Sequence, residues 1–210
     1  MQEPYLANLT RKGMVFAVSA PSGCGKTTIV DTIVKEIPKI VRLITVNTRE
    51  KRSSEIDGKD YIFVSEKQFT EWIEKDLFLE YVEIYETKRG ILKSILFQNI
   101  EQGIDTICNV EGNGARRLKE ALGENLASIF ILPPSLEELQ NRIEKRAQDS
   151  PKEIKKRLDN AVAEMSFSQE YDYCVINNDL KDCIKTIKSI IKAERQKTFR
   201  AIKSGVVRKI

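Results

Sequence analysis

The run Ser19-Ala20-Pro21-Ser22-Gly23-Cys24-Gly25-Lys26-Thr27-Thr28 combines small residues, a lysine and hydroxyls in a pattern suited to gripping phosphate. Glycines let backbone N–H groups turn inward around phosphate oxygens, a following helix adds the positive end of its dipole, Lys26 supplies a point charge, and Thr27 offers a hydroxyl to Mg²⁺. Ala20 stands where the usual form of such a loop has its first glycine. Cys24 reads as small filler in that loop rather than as a redox centre. Further along, Arg49 and Arg52 lie three apart, with Tyr61 nine residues later. Arginine forks match phosphate oxygens bidentately, so a second anion site beside the first is expected. Arg142 and Arg146 share one face of a charged helical pattern at i, i+4. Phosphoryl transfer needs placement and charge neutralisation more than covalent chemistry, and positioned lysines and arginines supply both. The chain contains no histidine, which excludes Ser-His-Asp and Cys-His triads and histidine-based metal sites.

The elements that must position these groups follow from the apolar pattern. Gly13 to Ser19 reads as a buried strand ended by the breaker-rich turn Ala20 to Gly25. A helix begins near Lys26, with Ile29, Val30, Ile33 and Val34 at helical spacing, and ends at Pro38. A second strand is predicted over Ile40 to Val46, a helix over 66–75, and buried strands over Thr106 to Val110 and Ala127 to Leu132. Ser135 to Glu138 reads as a capping box opening a charged helical stretch to Met165, broken near Asp149-Ser150-Pro151. Tyr173 to Ile176 is the last strand, and Leu180 to Lys203 a terminal helix covering the sheet. Alternating strands and helices predict an α/β fold with a parallel sheet flanked by helices. Two segments read as insertions on it, roughly 45–92 and 136–158.

At 210 residues the chain suits one domain. Hydrophobic residues at 41% and charged residues at 31% describe a soluble globular protein, and no apolar run approaches the roughly 18 residues of a membrane span. The first twelve residues lack the apolar core of a secretory signal, so a cytoplasmic setting is expected. Cys24, Cys108, Cys174 and Cys183 form no CxxC pair and suit free thiols in a reducing compartment. The net charge of +4 is a property of the tail: residues 181–210 hold ten Lys/Arg against Asp182 and Glu194, leaving the other 180 residues at −4. No aromatic platform accompanies that charge, so a solvated helix face is favoured over a nucleic-acid site. Oligomeric state stays open between monomer and homodimer.

Beyond these local readings, the chain resembles the guanylate kinases, P-loop nucleoside monophosphate kinases that move the γ-phosphoryl of ATP onto GMP. The family's TTR-x-x-R leading to E-x-x-G-x-D-Y-x-F-V matches Asn47 to Val64, its F-L-E matches Phe78-Leu79-Glu80, and its Q-G-A matches Asn113-Gly114-Ala115. Its P-P-S-x-E-E-L-x-x-R matches Pro133 to Arg142, its R-x-x-D-S matches Arg146 to Ser150, and its E-M-S…E-Y-D-Y…N-x-D matches Glu164 to Asp179. The resemblance implies a P-loop NTPase-type core (1–44, 93–135, 159–210), an inserted monophosphate-binding segment (45–92) and a helical lid (136–158). It also implies ATP and GMP (or dGMP) as substrates with Mg²⁺. Thr45, Arg49, Arg52 and Tyr61 would then hold the GMP phosphate, Glu80 would accept the guanine N1–H and amino protons, and Arg142, Arg146 and Arg157 would come from the lid.

Two elements of the acceptor pocket depart from the family pattern. Its Y-Y-G-[ST] element is Lys88-Arg89-Gly90-Ile91, so Arg89 replaces a tyrosine near the phosphate and Ile91 replaces the hydroxyl that would donate to guanine O6. Its D-x-D-x-Q-G begins Asn109-Val110-Glu111, where Glu111 keeps a carboxylate for the base and Asn109 loses a charge that helps hold Mg²⁺ through water. Three readings are therefore open: GMP in a rearranged pocket, a kinase drifted toward another monophosphate, or a non-catalytic partner-binding domain.

Overall fold

The computed structural model describes residues 9–84, 87–110, 112–146 and 151–203. Strand β1 (Leu9–Arg11) leads into β2 (Val15–Ser19), the phosphate loop and helix α1 (Lys26–Glu36). Then follow β3 (Ile40–Arg42), β4 (Thr45–Asn47), β5 (Tyr61–Phe63), α2 (Glu66–Glu74), β6 (Phe78–Ile84), β7 (Thr87–Leu92) and α3 (Lys93–Glu101). The remainder is β8 (Asp105–Asn109), α4 (Gly112–Leu122), β9 (Leu126–Leu132), α5 (Leu136–Arg146), α6 (Pro151–Met165), β10 (Tyr173–Ile176), α7 (Leu180–Arg195) and β11 (Ala201–Lys203).

The core sheet has the order β10-β9-β2-β8-β3 and is parallel throughout. All five residues of β2 are buried, as a central strand covered on both faces requires. One face packs Phe16, Val18, Ile29, Ile33 and Ile129 with Ile187 and Ile191 of α7. The other packs Val15, Ala17, Leu96, Cys108 and Leu118. Because β8 and β9 lie on opposite sides of β2, the chain after β2 emerges at a topological switch point, where open α/β sheets leave a crevice.

A second sheet, order β5-β4-β7-β6, is built from residues 45–92 around its own small core of Val46, Phe69, Phe78 and Leu92. Ser65 caps α2, its hydroxyl accepting from Gln68 N–H at 3.2 Å. Phe69 and Phe78 stack at 4.4 Å. Gly90 must be glycine for space: a Cβ there would lie 2.5 Å from the Phe78 ring.

The structure corrects two expected elements. The strand over Ile40 to Val46 is two strands, because Leu43 packs into the core beside Ile91 while Val46 packs into the second core beside Phe69. Neighbouring residues are drawn to different sheets, and the chain bends between them. The terminal helix ends at Arg195 instead of running to Lys203. Buried Arg200 folds back, donating from Nε to Glu194 O at 3.0 Å and from Nη2 to Glu124 O at 2.6 Å. That turn delivers β11 to pair antiparallel with β1. At the start of β8, the buried Asp105 carboxylate binds Arg11 at 2.6 and 2.8 Å, Arg195 at 2.7 Å and Met14 N–H at 3.0 Å. It ties β1, β8 and α7 together. Among the described residues no helix is long and apolar enough to cross a membrane.

Candidate active site

Between β2 and α1 the backbone turns through Gly23 (φ 92°) and Gly25 (φ 80°), conformations that L side chains rarely adopt. Gly25 is the N-cap of α1 and supplies no side-chain cap, so the first-turn N–H groups of that helix point toward incoming anions. The loop is braced from outside. Asn177 donates from Nδ2 to Cys24 O at 2.9 Å. Tyr171 donates from its hydroxyl to Ser19 Oγ, and Ser19 donates to Val110 O, both at 2.6 Å. A Cβ on Gly23 would press on Ile143 and Leu139 of α5 at 3.2 Å. Cys24 is fully buried, and burial pushes its thiol up to about 11, so it fills space as a neutral group.

Ala20, Lys26 and Thr27 line a cleft of about 820 Å³ that continues to the second sheet. Its far wall includes Thr45, Tyr61, Arg89 and Ile91, with Glu80 and Asn109 between. Glu80 and Ile91 are direct partners across the antiparallel β6–β7 pair, next to an irregularity between Phe78 and Glu80. They therefore present their side chains on one face. The Glu80 side chain is only 9% exposed. Burial pushes its carboxyl above the ordinary glutamate value, and the Arg117 guanidinium, 3.6 Å away, partly opposes that rise. Gly114 lies alongside: a Cβ there would sit 3.4 Å from Glu80 Oε1. Ile91 is 7% exposed and belongs to the apolar cluster with Leu43, Leu96 and Cys108, so it gives the cleft an apolar spot beside the carboxylate.

The predicted arginines divide into groups. Arg89 is exposed and reaches the cleft. Arg49 and Arg52 are not among its lining residues. Glu55 holds Arg49 in a fork, with Nη1–Oε2 at 2.7 Å and Nη2–Oε1 at 2.6 Å, and the guanidinium lies 5.2 Å from the Tyr61 ring centre. The Arg49 hydrogen bonds draw the Glu55 carboxyl down to about 2. Arg49 Nη1 also donates to Glu50 O at 2.8 Å, and Nε is buried with no partner, so this clamp fixes the orientation of the guanidinium. Arg52 is exposed beside it and donates its backbone N–H to Glu55 Oε2 at 2.9 Å.

Ser135 caps α5 as its sequence predicts, accepting from Glu138 N–H at 3.1 Å. Arg142 on α5 bonds Glu138 at 2.8 Å and Asn177 O at 3.0 Å, and lines a smaller recess of about 320 Å³ with Gly23, Gly25 and Thr28. Arg157 is exposed on α6. Arg146 ends α5, but its side chain lies outside the described residues, as does Glu111. Sequence reasoning missed Arg117, Glu55 and the braces Tyr171 and Asn177. Tyr171 and Asn177 fall inside the matched E-Y-D-Y…N-x-D motif, which signalled their presence but no task.

Comparison with known proteins agrees with this geometry. A family model described as guanylate kinase matches residues 12–194. The guanylate kinase of Wolbachia sp. subsp. Brugia malayi (strain TRS) is 43% identical over 186 residues, 89% of this chain and 95% of that protein. That of Clostridioides difficile (strain 630) is 41% identical over 190 residues, 90% and 92% of the two chains. The crystal structure of guanylate kinase from Anaplasma phagocytophilum superposes with a TM-score of 0.72 at 31% identity, covering 92% of each chain. With a matching family model over nearly the whole length, and a phosphate loop and a buried carboxylate facing one cleft, the chain belongs to the guanylate kinase family of phosphotransferases.

Proposed function

We propose that this enzyme transfers the γ-phosphoryl of ATP to GMP or dGMP in the cleft between the phosphate loop and the second sheet. One observation carries the reading: the loop's Lys26 and Thr27 and the buried carboxylate of Glu80 open onto the same cavity. A phosphate grip and a base-reading acceptor therefore face each other across a space of about 820 Å³. The backbone amides at Gly23 to Lys26 and the start of α1 cradle the donor phosphates, and Lys26 neutralises charge that develops on the transferring group. Arg89 meets the acceptor phosphate, with Thr45 and Tyr61 beside it. Arg49, pre-aimed by Glu55, and Arg52 reach that phosphate when residues 45–92 close on the core. Arg142, Arg146 and Arg157 come over the donor side from a lid of residues 136–158. Glu80 accepts the guanine N1–H and amino protons, a pair that adenine does not present.

Thr27 and Asn109 both line the cleft. Among the described residues no group of three carboxylates, cysteines or histidines gathers there. That donor set fits Mg²⁺, which is held by few protein oxygens when phosphates and water complete its shell. Thr27 would hold it directly and Asn109 through water, and the ion supplies charge stabilisation to the phosphates. The test is ADP release with ATP and each of GMP, dGMP, AMP, CMP and UMP. The guanine nucleotides should be used at least about tenfold better than the rest, the discrimination one well-placed polar contact provides. Equal use of AMP would overturn the acceptor reading.

A further inference from the structure

Guanine presents a row of N2–H, N1–H and O6: two donors and then an acceptor. A pocket that selects it needs two acceptors and then a donor. Glu80 provides the acceptors, but its cross-strand partner on that face is Ile91, which carries no hydrogen-bonding group. Arg117 also stands beside the carboxylate and lines the cleft. Helix α4 buries Ala115, Leu118 and Leu122 against the core, and its Gly114 and Arg117, three apart, both turn toward Glu80. The absent side chain of Gly114 leaves the carboxylate accessible, and Arg117 places Nη1 3.6 Å from Glu80 Oε1. The Arg117 side chain is 54% exposed and lines the same cleft.

We propose that Arg117 is a specificity-determining residue that donates to guanine O6, supplying from α4 the donor that position 91 lacks. The proposal rests on the reading of the cleft as a GMP site. Two features favour a ligand role over a fixed structural one. The separations from Arg117 Nη1 to Glu80 and to Tyr81 O, 3.6 and 3.4 Å, are longer than a strong N–H···O bond, so a ligand oxygen can replace them at small cost. The neighbouring Arg116 and Lys119 are already committed elsewhere, to Glu170 at 2.9 Å and Asp172 at 2.7 Å. A guanidinium at O6 also works against adenine, whose amino group would meet it donor to donor.

The experiment compares wild type with Arg117→Ala, measuring kcat/KM for GMP, AMP and 6-thio-GMP, whose sulfur is a poor acceptor in place of O6. Removing Arg117 should lower GMP use by about tenfold or more, as expected for a hydrogen bond from a charged donor. It should change 6-thio-GMP by less than about threefold, narrow the GMP to AMP ratio and leave the KM for ATP unchanged. Unchanged GMP use overturns the proposal. So does an equal loss for GMP and 6-thio-GMP, which would mean that Arg117 acts on Glu80 or on the fold. A wild-type enzyme that ignores GMP removes the acceptor reading, and this proposal with it; a wild type active on GMP with either result above removes the proposal alone.

Discussion

Replacing Glu80 by glutamine keeps the shape of the side chain and removes one acceptor. At 9% exposure the amide has little access to water, so its N–H₂ would face a guanine proton with no repayment from solvent. A buried unsatisfied group of this kind costs roughly 1 to 3 kcal/mol, which is about a 5- to 150-fold loss in kcat/KM for GMP. The assay is coupled ADP release at low GMP, with the KM for ATP as the internal control. A pH series adds a second arm. Burial raises the Glu80 carboxyl above the ordinary glutamate value of 4.5, and only the ionised form accepts both guanine protons. The Glu80 part of the acid limb of kcat/KM for GMP should therefore lie above that value, with activity lost as pH falls through it, and only the limb of the GMP phosphate, whose second pKa is about 6, should be left in Glu80→Gln. Stability moves the other way. At neutral pH the raised group is held ionised where burial disfavours charge, so the glutamine variant should unfold no more easily than wild type at pH 7. A Glu80→Gln enzyme within twofold of wild type for GMP, with an acid limb unchanged from wild type, refutes the assignment of Glu80 to the base.

Three further outcomes are expected. Lys26→Ala should lose phosphoryl transfer by at least about a hundredfold, the usual loss for a charge-stabilising group in a preorganised site, with little change in thermal unfolding; near-normal turnover would remove the loop from the mechanism. Residues 45–92 and 136–158 should close on the core when both nucleotides bind, excluding water from the γ-phosphoryl, so solution scattering with a two-substrate analogue should give a smaller radius of gyration than the free enzyme, and identical profiles would defeat the idea. Asp105→Ala should destabilise the fold by about 3 to 5 kcal/mol, because it strands Arg11 and Arg195 around a buried site; a denaturant midpoint close to wild type would show that the clamp contributes little.

Much of the core was legible in the sequence because its signals are local. Met14 to Val18 is continuously apolar, Lys26 to Glu36 shows a helical stripe ended by Pro38, and Tyr173 to Ile176 reads as a strand with the same bounds in sequence and structure. Strands β5 to β7 and helices α3 and α4 were not expected. All three residues of β5 are only half-buried, and the irregularity between Phe78 and Glu80 breaks the alternation of β6. Helix α3 opens directly on Leu92 without a side-chain cap, so nothing in the sequence marks its start. Helix α4 begins with Gly112-Asn113-Gly114, which reads as loop. These glycines are there for close approach: Gly112 lies against the Phe167 ring and Gly114 against Glu80. Tertiary contact outweighs their poor helix propensity.

The same distinction separates the two halves of the site. The phosphate loop is made from consecutive residues, and its chemistry lies in backbone N–H groups that glycine spacing exposes, so ten letters are enough to find it. The proposed base edge is assembled from β6, β7 and α4, where Gly90 lies against the Phe78 ring and Leu118 and Leu122 are buried. Its chemistry depends on which side chains from those elements meet. Ile91, read alone, signals a lost donor, and the sequence contains no mark that ties it to Arg117, twenty-six residues away. Only the fold brings both to Glu80, one across the strand pair and one from the helix. With Arg117 as the proposed O6 donor, the guanine pocket would exchange the position of a donor while keeping its pattern of acceptor, acceptor, donor, because the edge of the base constrains where polar atoms stand and not which element carries them.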